Sequence, residues 1–307
     1  ASFQRGQYSL APLSRHCDIA IMYRTIRTIR IVIALATMLL PAWALVAGHE
    51  TVFSNMQILT ALLSGSFICL VFWVLATLFY GRIYCSLLCP LGTVMDCMAA
   101  VARLVGRRRR AYTYSQPANA VRWLFFVLAV ACVLVGGSVL PTLLDPYTDY
   151  ARMVTQFVVV PLGEYGPGAV FSLSSMSIAA GLALVVAAMS WRHGRRYCNT
   201  VCPVGTLLAV PAARSVFHPD INTDKCINCG ECERVCKAGC IRLSDHTVDA
   251  SRCVVCFDCM SVCPNQAITY RQGRHRLGMP MMQPSGGNQP QNFVAPPEES
   301  TTIKQEK

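Results

Sequence analysis

Residues 226–264 read CINCGECERVCKAGCIRLSDHTVDASRCVVCFDCMSVCP, two cysteine runs of identical spacing joined by a short polar stretch. Cys226, Cys229, Cys232 and Cys236 form the first C-x2-C-x2-C-x3-C run, and Cys253, Cys256, Cys259 and Cys263 form the second. Three thiolates on one tight loop suit an iron–sulfur cubane, whose iron corners lie within a few ångströms of one another. Small residues such as Gly230 let backbone amides approach the cluster sulfides and tune the potential. The chief alternative is a pair of structural zinc sites, and the third regularly spaced cysteine in each run weighs against it.

This spacing resembles that of bacterial two-cluster ferredoxins, in which the fourth cysteine of each run ligates the other cluster. On that rule Cys226, Cys229, Cys232 and Cys263 hold one [4Fe–4S] cluster, and Cys253, Cys256, Cys259 and Cys236 hold a second. The runs differ in one respect: Pro264 follows Cys263, but Lys237 follows Cys236. A lysine there adds positive charge and is expected to raise the potential of its cluster. Cys240 aligns with Ala267 and reads as a small buried residue, with replacement of Cys236 as a ligand as the alternative.

Outward from this segment the composition changes. The 307 residues are 53% hydrophobic and only 14% charged, against about a quarter charged in a soluble chain. Four apolar segments approach the roughly 20 residues that cross a bilayer: 29–47, 58–80, 123–140 and 169–191. Pro41 falls within the first and is expected to kink it. A shorter run, 153–162, reads as an interfacial helix or a buried loop segment. Basic residues are one-sided. Arg24, Arg27 and Arg30 precede the first span; Arg82, Arg103, residues 107–110 and Arg122 lie between the second and third; Arg192, Arg195 and Arg196 follow the fourth. Segment 48–57 carries no Lys or Arg, and 141–167 carries only Arg152. The positive-inside rule therefore places both termini in the cytoplasm. The net charge of +11 follows from this topology, and nucleic-acid binding is not expected. No secretory signal with a cleavage site is visible ahead of the first span. Twelve of the seventeen cysteines fall in tight metal-ligand spacings, which suits a reducing compartment better than a disulfide framework.

A second cysteine pattern lies at the ends of the second and fourth spans. Residues 81–93 read GRIYCSLLCPLGT and 195–206 read RRYCNTVCPVGT, sharing Tyr-Cys-x3-Cys-Pro-x-Gly-Thr behind an arginine. The spanning region thus reads as two related hairpins on a parallel repeat. The proline stops the upstream helix or starts a new one. Pseudo-symmetry brings Cys85, Cys89, Cys198 and Cys202 to one axis, the number of thiolates that one further iron–sulfur centre requires. Redox-active dithiols and inert structural turns are the alternatives. Cys17, Cys69, Cys97 and Cys132 receive no role.

The expected organisation is a mostly α membrane protein with four transmembrane helices as two repeated hairpins and a C-terminal two-cluster, ferredoxin-like α+β domain. Its parts are a cytoplasmic segment 1–28, a membrane domain 29–220, the ferredoxin-like domain 221–270, and an extended or disordered tail 271–307.

Four spans, two C-x3-C-P motifs and paired ferredoxin runs together resemble the NapH/MauN/NosR group of membrane polyferredoxins, most closely the NapH-type quinol dehydrogenase membrane subunit. The resemblance covers residues 24–270. It implies a multi-pass protein of the bacterial inner membrane that exchanges electrons between the quinone pool and a redox partner subunit, ferredoxin-like or a cytochrome. Quinone would then be the substrate. A quinone site needs a polar, proton-accepting group beside an apolar slot. His49, Glu50, Asp145, Tyr147 and Asp149 are candidates in the outer loops, with Asp145 preferred; the alternative for each is an ordinary solvated loop residue. Competing functions are a copper reductase used in oxidase assembly, whose relatives carry a further folded domain, and an iron–sulfur redox sensor.

Overall fold

A computed structural model describes residues 11–47, 57–58, 67–105, 112–137, 139–161 and 173–272. His49, Glu50, the basic run 107–110 and the tail beyond 272 lie outside the described residues.

Helix α1 (Ala11–Val46) starts well before the expected span and continues through Pro41. Its part Ala20–Val46 and helix α8 (Leu173–His193) are each long and apolar enough to cross a membrane. Helices α2 (Phe67–Tyr80) and α5 (Asn119–Leu134) are apolar but shorter. The third expected span, 123–140, is broken: α5 ends at Leu134, and a short α6 (Val139–Leu144) follows. All four apolar helices expose large side chains outward, among them Ile33, Phe72, Leu128 and Leu184.

Each C-x3-C-P motif folds as a short helix, a break at the second cysteine and a new helix begun by the proline. In the first copy these are α3 (Tyr84–Leu87) and α4 (Pro90–Val105). In the second they are α9 (Arg196–Thr200) and α10 (Pro203–Ala212), with Cys202 as the N-cap of α10. Proline at the first helical position loses no backbone bond that the helix would have made. Helix α4 packs against α1 and α8, whereas α10 packs against α2 and α5.

Helix α7 (Pro146–Val154), extended by a π-helical turn Thr155–Val159, changes the expected picture of this loop. Asp145, Tyr147 and Asp149 are buried here; they are not solvated loop residues. Asp145 caps the helix, its carboxylate accepting from Thr148 N at 2.9 Å and Thr148 Oγ1 at 2.7 Å. The Tyr150 hydroxyl donates to the Met38 carbonyl at 2.5 Å, tying α7 to α1. Satisfying these polar groups inside the bundle is what makes their burial tolerable.

The C-terminal domain begins at Phe217, ahead of the expected boundary at 221. Strand β1 (Phe217–Ile221) pairs antiparallel with β4 (Ile268–Gln272), Phe217 opposite Gln272 and Ile221 opposite Ile268. Between them lie α11 (Glu231–Val235), the small hairpin β2 (Ile241–Arg242) with β3 (Thr247–Val248), and α12 (Asp258–Val262). The domain is fastened to the helices rather than tethered. Tyr80 at the end of α2 stacks on Phe217 with ring centroids 5.8 Å apart, and Phe217 stacks on Tyr270 at 6.0 Å. The early turns of α1 extend onto this domain as well. Tyr23 enters its core, and Arg27 pairs with Asp258 at 2.6 Å.

Candidate iron–sulfur sites

The two ferredoxin-like loops take the same backbone path. Positions two and four residues beyond the first cysteine are left-handed in both: Asn228 and Gly230 in one, Val255 and Phe257 in the other. Gly239 and Gln266, each three residues past the fourth cysteine, repeat the agreement. A left-handed valine or phenylalanine costs about 1–2 kcal/mol, so the loop shape is imposed by something that outweighs it. Peptide N–H groups turned inward onto a ring of thiols are the feature that such a path produces.

The eight thiols fall around two cavities. Cys226, Cys229, Cys232 and Cys263 line one cavity, closed by Ile221, Leu243 and Ile268. Cys236, Cys253, Cys256 and Cys259 line the other, beneath Val254 and Met260. Cys240 lines that second cavity too, its Sγ 3.5 Å from that of Cys236. It is buried, as expected, but it is not inert packing, because a fifth thiol faces the same space. The donor set and the apolar walls fit an iron–sulfur cluster in each cavity, four thiolates apiece. Among the described residues no group of three or more His, Cys, Asp or Glu side chains closes on a point the size of one metal ion. The sixteen described cysteines are all free thiols.

The C-x3-C-P cysteines form a third group. Cys85, Cys89, Cys198 and Cys202 are all buried and belong to one cluster of the helical core. The two motifs match atom for atom in their local bonds. Gly92 N donates to Cys89 Sγ, and Gly205 N to Cys202 Sγ, each at 3.4 Å. A Cβ on Gly92 would stand 2.7 Å from the Cys85 carbonyl oxygen, and one on Gly205 would overlap the Cys198 carbonyl. Glycine is required at both places by this close approach.

The arginine ahead of each motif crosses to the other copy. Arg82, fully buried, donates to Gly205 O at 3.1 Å and Asn199 Oδ1 at 2.5 Å, and also to the Arg252 carbonyl. Arg195 donates to the Cys85 carbonyl and grips Asp96 with Nε and Nη2, both at 2.9 Å. Asp96 also faces Arg30 at 3.5 Å and Lys237 Nζ at 3.4 Å. Burial works to raise the Asp96 carboxyl, but the Arg195 and Lys237 cations hold it well below the usual carboxylate range.

Lys237 takes part in this lock. Its Nζ lies 3.0 Å from Asp258 in addition to Asp96, and its carbonyl accepts from Arg195 N at 2.9 Å. The expectation that Lys237 acts as an added positive charge beside its cluster is therefore modified, since two carboxylates neutralise it. The lysine at this position docks the domain onto α4 and onto the start of the second motif. Val254 lies in the same core cluster as the four motif thiols, and Cys256 packs against it. The second ferredoxin cavity thus adjoins the motif quartet, and the first lies beyond it.

Polar groups lead away from the quartet on its other side. The Tyr84 hydroxyl bonds Gln57 and lies within electrostatic reach of Asp145. The Tyr197 hydroxyl donates to Asp149 Oδ2 at 3.4 Å, and Arg152 pairs with Asp149 Oδ1 at 3.4 Å. Asp145 and Asp149, one turn apart on α7, thus each approach one motif tyrosine. An apolar cavity of about 210 Å³ opens between α2, α5 and α10, lined by Ile58, Leu70, Val130, Pro141 and Pro203 among others. Asp96 and the two crossing arginines were not singled out as a site from the sequence; the arginine ahead of each shared motif is a local signal for the latter, and Asp96 carries none.

Comparison with known proteins finds 4Fe-4S binding domains in these segments. One family model, described as a 4Fe-4S binding domain, matches at residues 63–110 and again at 175–218, the two stretches that carry the C-x3-C-P motifs. A second 4Fe-4S binding domain model matches residues 218–241. The ferredoxin-type protein NapH of Escherichia coli K12 is 29% identical over 58% of this chain and 54% of its own length. NapH of Haemophilus influenzae is 27% identical over 52% of this chain and 50% of its own. The putative electron transport protein YccM of E. coli K12 is 23% identical over 56% and 46%. The chain spans about half the length of these curated relatives. No solved structure matches it significantly. By its cysteine layout and these matches the chain is similar to the NapH-type iron–sulfur proteins and carries 4Fe-4S binding domains.

Proposed function

We propose that the chain is a membrane subunit that exchanges electrons between quinone and a redox partner protein through three iron–sulfur centres in series. The observation that carries this reading is the adjacency of the buried thiol quartet to the second ferredoxin cavity, through Val254 and Cys256. In this reading Cys85, Cys89, Cys198 and Cys202 hold the innermost centre. Cys236, Cys253, Cys256 and Cys259 hold the middle [4Fe–4S] cluster, and Cys226, Cys229, Cys232 and Cys263 the outermost. The clusters supply one-electron chemistry when bound. The protein supplies thiolates, buried N–H groups and a dry path. Cys229 is exposed, so the outermost cluster is where a ferredoxin-like or cytochrome partner would dock.

The outward-facing apolar side chains of α1, α2, α5 and α8 support four membrane crossings as two hairpins. Both termini then lie on the cytoplasmic side of a bacterial inner membrane, because Arg27, Arg30, Arg82 and Arg195 all gather at the ferredoxin end of the bundle.

Quinone is placed in the apolar cavity between α2, α5 and α10. Ile58 walls the cavity and is next in the chain to Gln57, which pairs with the Tyr84 hydroxyl; this pair and Asp145 are the polar groups proposed to serve the ring, with Asp149 and Tyr197 as the second pair. Oxidising a quinol releases two protons, and Asp145 and Asp149 are the buried acids on α7 proposed to accept them. Val130 lines the cavity but is itself exposed on its outer side. Val130→Trp is therefore expected to fill the cavity without disturbing the core, slowing cluster reduction by menaquinol or ubiquinol at least tenfold. Reduction by dithionite should be unchanged. Quinol-dependent reduction at the wild-type rate in this variant would remove the cavity from the account. Failure of both quinols to reduce the wild-type chain would remove quinone altogether.

A further inference from the structure

A second cavity, of about 240 Å³, lies where the C-terminal end of α8, the N-terminal end of α5 and the ferredoxin-like domain meet. Its lining includes Arg122, Arg192, His193, Arg196 and Arg252, and no aspartate or glutamate. Asp249, 3.9 Å from Arg252, lies outside the lining.

We propose that this cavity is a binding site for a phosphate group, separate from the electron path and independent of the quinone reading. Three observations support it. Arg122 is 5% exposed, and while its Nη2 donates to Gly205 O at 3.3 Å, its Nε has no hydrogen-bond partner. A buried guanidinium left partly unbonded is costly unless a ligand completes it. Helix α5 begins at this wall with Ala118 as N-cap, and no side chain caps it. Pro117 and Ala118 line the cavity, so the helix's free N–H groups and positive dipole end add to the anion preference. The third observation is the division of labour among the arginines. Arg252 is committed as a wall, donating to Ser115 O at 2.6 Å, Ser115 Oγ at 2.9 Å and Gly239 O at 2.6 Å. Arg192 is exposed at the rim, and Arg196 is half-buried beside it. Neither is committed in that way, and a phosphate offers the forked acceptor geometry that guanidinium groups match.

The source of the phosphate is either an anionic lipid headgroup or a free phosphate. Basic pockets on the cytoplasmic face between helices suit the former, whereas the opening beside the ferredoxin-like domain suits the latter. Cys236 and Asn199 also line the cavity, so an occupant would sit between the second motif and the middle cluster.

The full chain, purified with its clusters, can be tested by native mass spectrometry against cardiolipin and phosphatidylglycerol, and by calorimetry against inorganic phosphate. Saturable binding of at least one of these is expected, with phosphatidylcholine not retained. Retention of the lipids alone identifies a headgroup site; binding of inorganic phosphate identifies a soluble ligand. Arg122→Gln should weaken that binding about ten- to a hundredfold, as loss of a charged hydrogen-bonding group does. The rim double variant Arg192→Gln/Arg196→Gln should weaken it about tenfold, and it carries the test should Arg122→Gln fail to fold. Absence of saturable binding by every probe, or wild-type binding by the rim double variant, overturns the proposal.

Discussion

Replacing Asp96 with asparagine is expected to destabilise the folded chain by about 3–5 kcal/mol, measured as a fall in the denaturant midpoint at which the helical signal and the cluster absorbance are lost. Asp96 is the carboxylate shared by Arg30 of α1, Arg195 ahead of α9 and Lys237 of the ferredoxin-like domain. Arg195 is 1% exposed and Asp96 14%, so water does little to replace the lost charge. Asparagine keeps the shape but leaves the guanidinium without its counter-ion, and breaking one side of a buried pair costs more than the pair contributes. The comparison is Asp220→Asn. Asp220 pairs with Arg271, which is half exposed, and its loss is expected to cost no more than about 1 kcal/mol. Equal effects for the two variants would show that Asp96 is not the hub described here.

The same carboxyl fixes a pH dependence. Its value in the folded chain is depressed by Arg195 and Lys237 despite burial. Its contribution is therefore complete above the unfolded carboxylate value, about 4, and is lost as the pH falls through the lower folded value. The wild type should lose stability on acidification below about pH 4, and Asp96→Asn should show a flatter profile there.

Gly205→Ala should abolish the motif centre, because its Cβ would overlap the Cys198 carbonyl oxygen and the neighbouring atoms are backbone. Relief requires the α9–α10 turn to open, which moves Cys202 and breaks the bond from Gly205 N to its sulfur. A destabilisation of about 3 kcal/mol or more is expected from overpacking alone, with iron lost from the quartet and retained in the ferredoxin-like domain. Gly181→Ala is the control. Gly181 lies in α8 with open space where its Cβ would be, so alanine should be neutral or stabilising by about 0.5–1 kcal/mol. Iron retention in Gly205→Ala equal to that in Gly181→Ala would contradict the close packing of the motif.

Local patterns made much of this site legible in the sequence. The cysteine spacings anticipated which thiols would share each ferredoxin cavity. The shared Tyr-Cys-x3-Cys-Pro pattern anticipated that the quartet would converge and that Pro90 and Pro203 would start helices. What stayed hidden depended on long-range pairing. Asp96 meets Arg30 and Arg195 across 66 and 99 residues of chain, and nothing near Asp96 in the sequence marks it. Lys237 stood out only as a missing proline; its docking role needs the positions of Asp96 and Asp258. The acids of α7 stand in the sequence as outer-loop candidates with a solvated position as the alternative, because a polar turn after an apolar run ordinarily faces water. Their burial depends on Tyr84, Tyr197 and Met38, which come from distant elements. Helix α5 is shorter than the expected third span for a local reason: it stops at Leu134, just ahead of Gly136 and Gly137, a pair that favours a break.

The claim on which the account rests is that the four C-x3-C-P thiols hold an iron–sulfur centre of their own. Iron and acid-labile sulfide counted per chain on the intact protein, with electron paramagnetic resonance of the reduced sample, tests it directly. Three [4Fe–4S] centres predict about twelve irons per chain, falling to about eight in Cys85→Ser/Cys198→Ser while the two ferredoxin signals persist. About eight irons in the wild type, with the four motif thiols titrating as free or as disulfides, would contradict it.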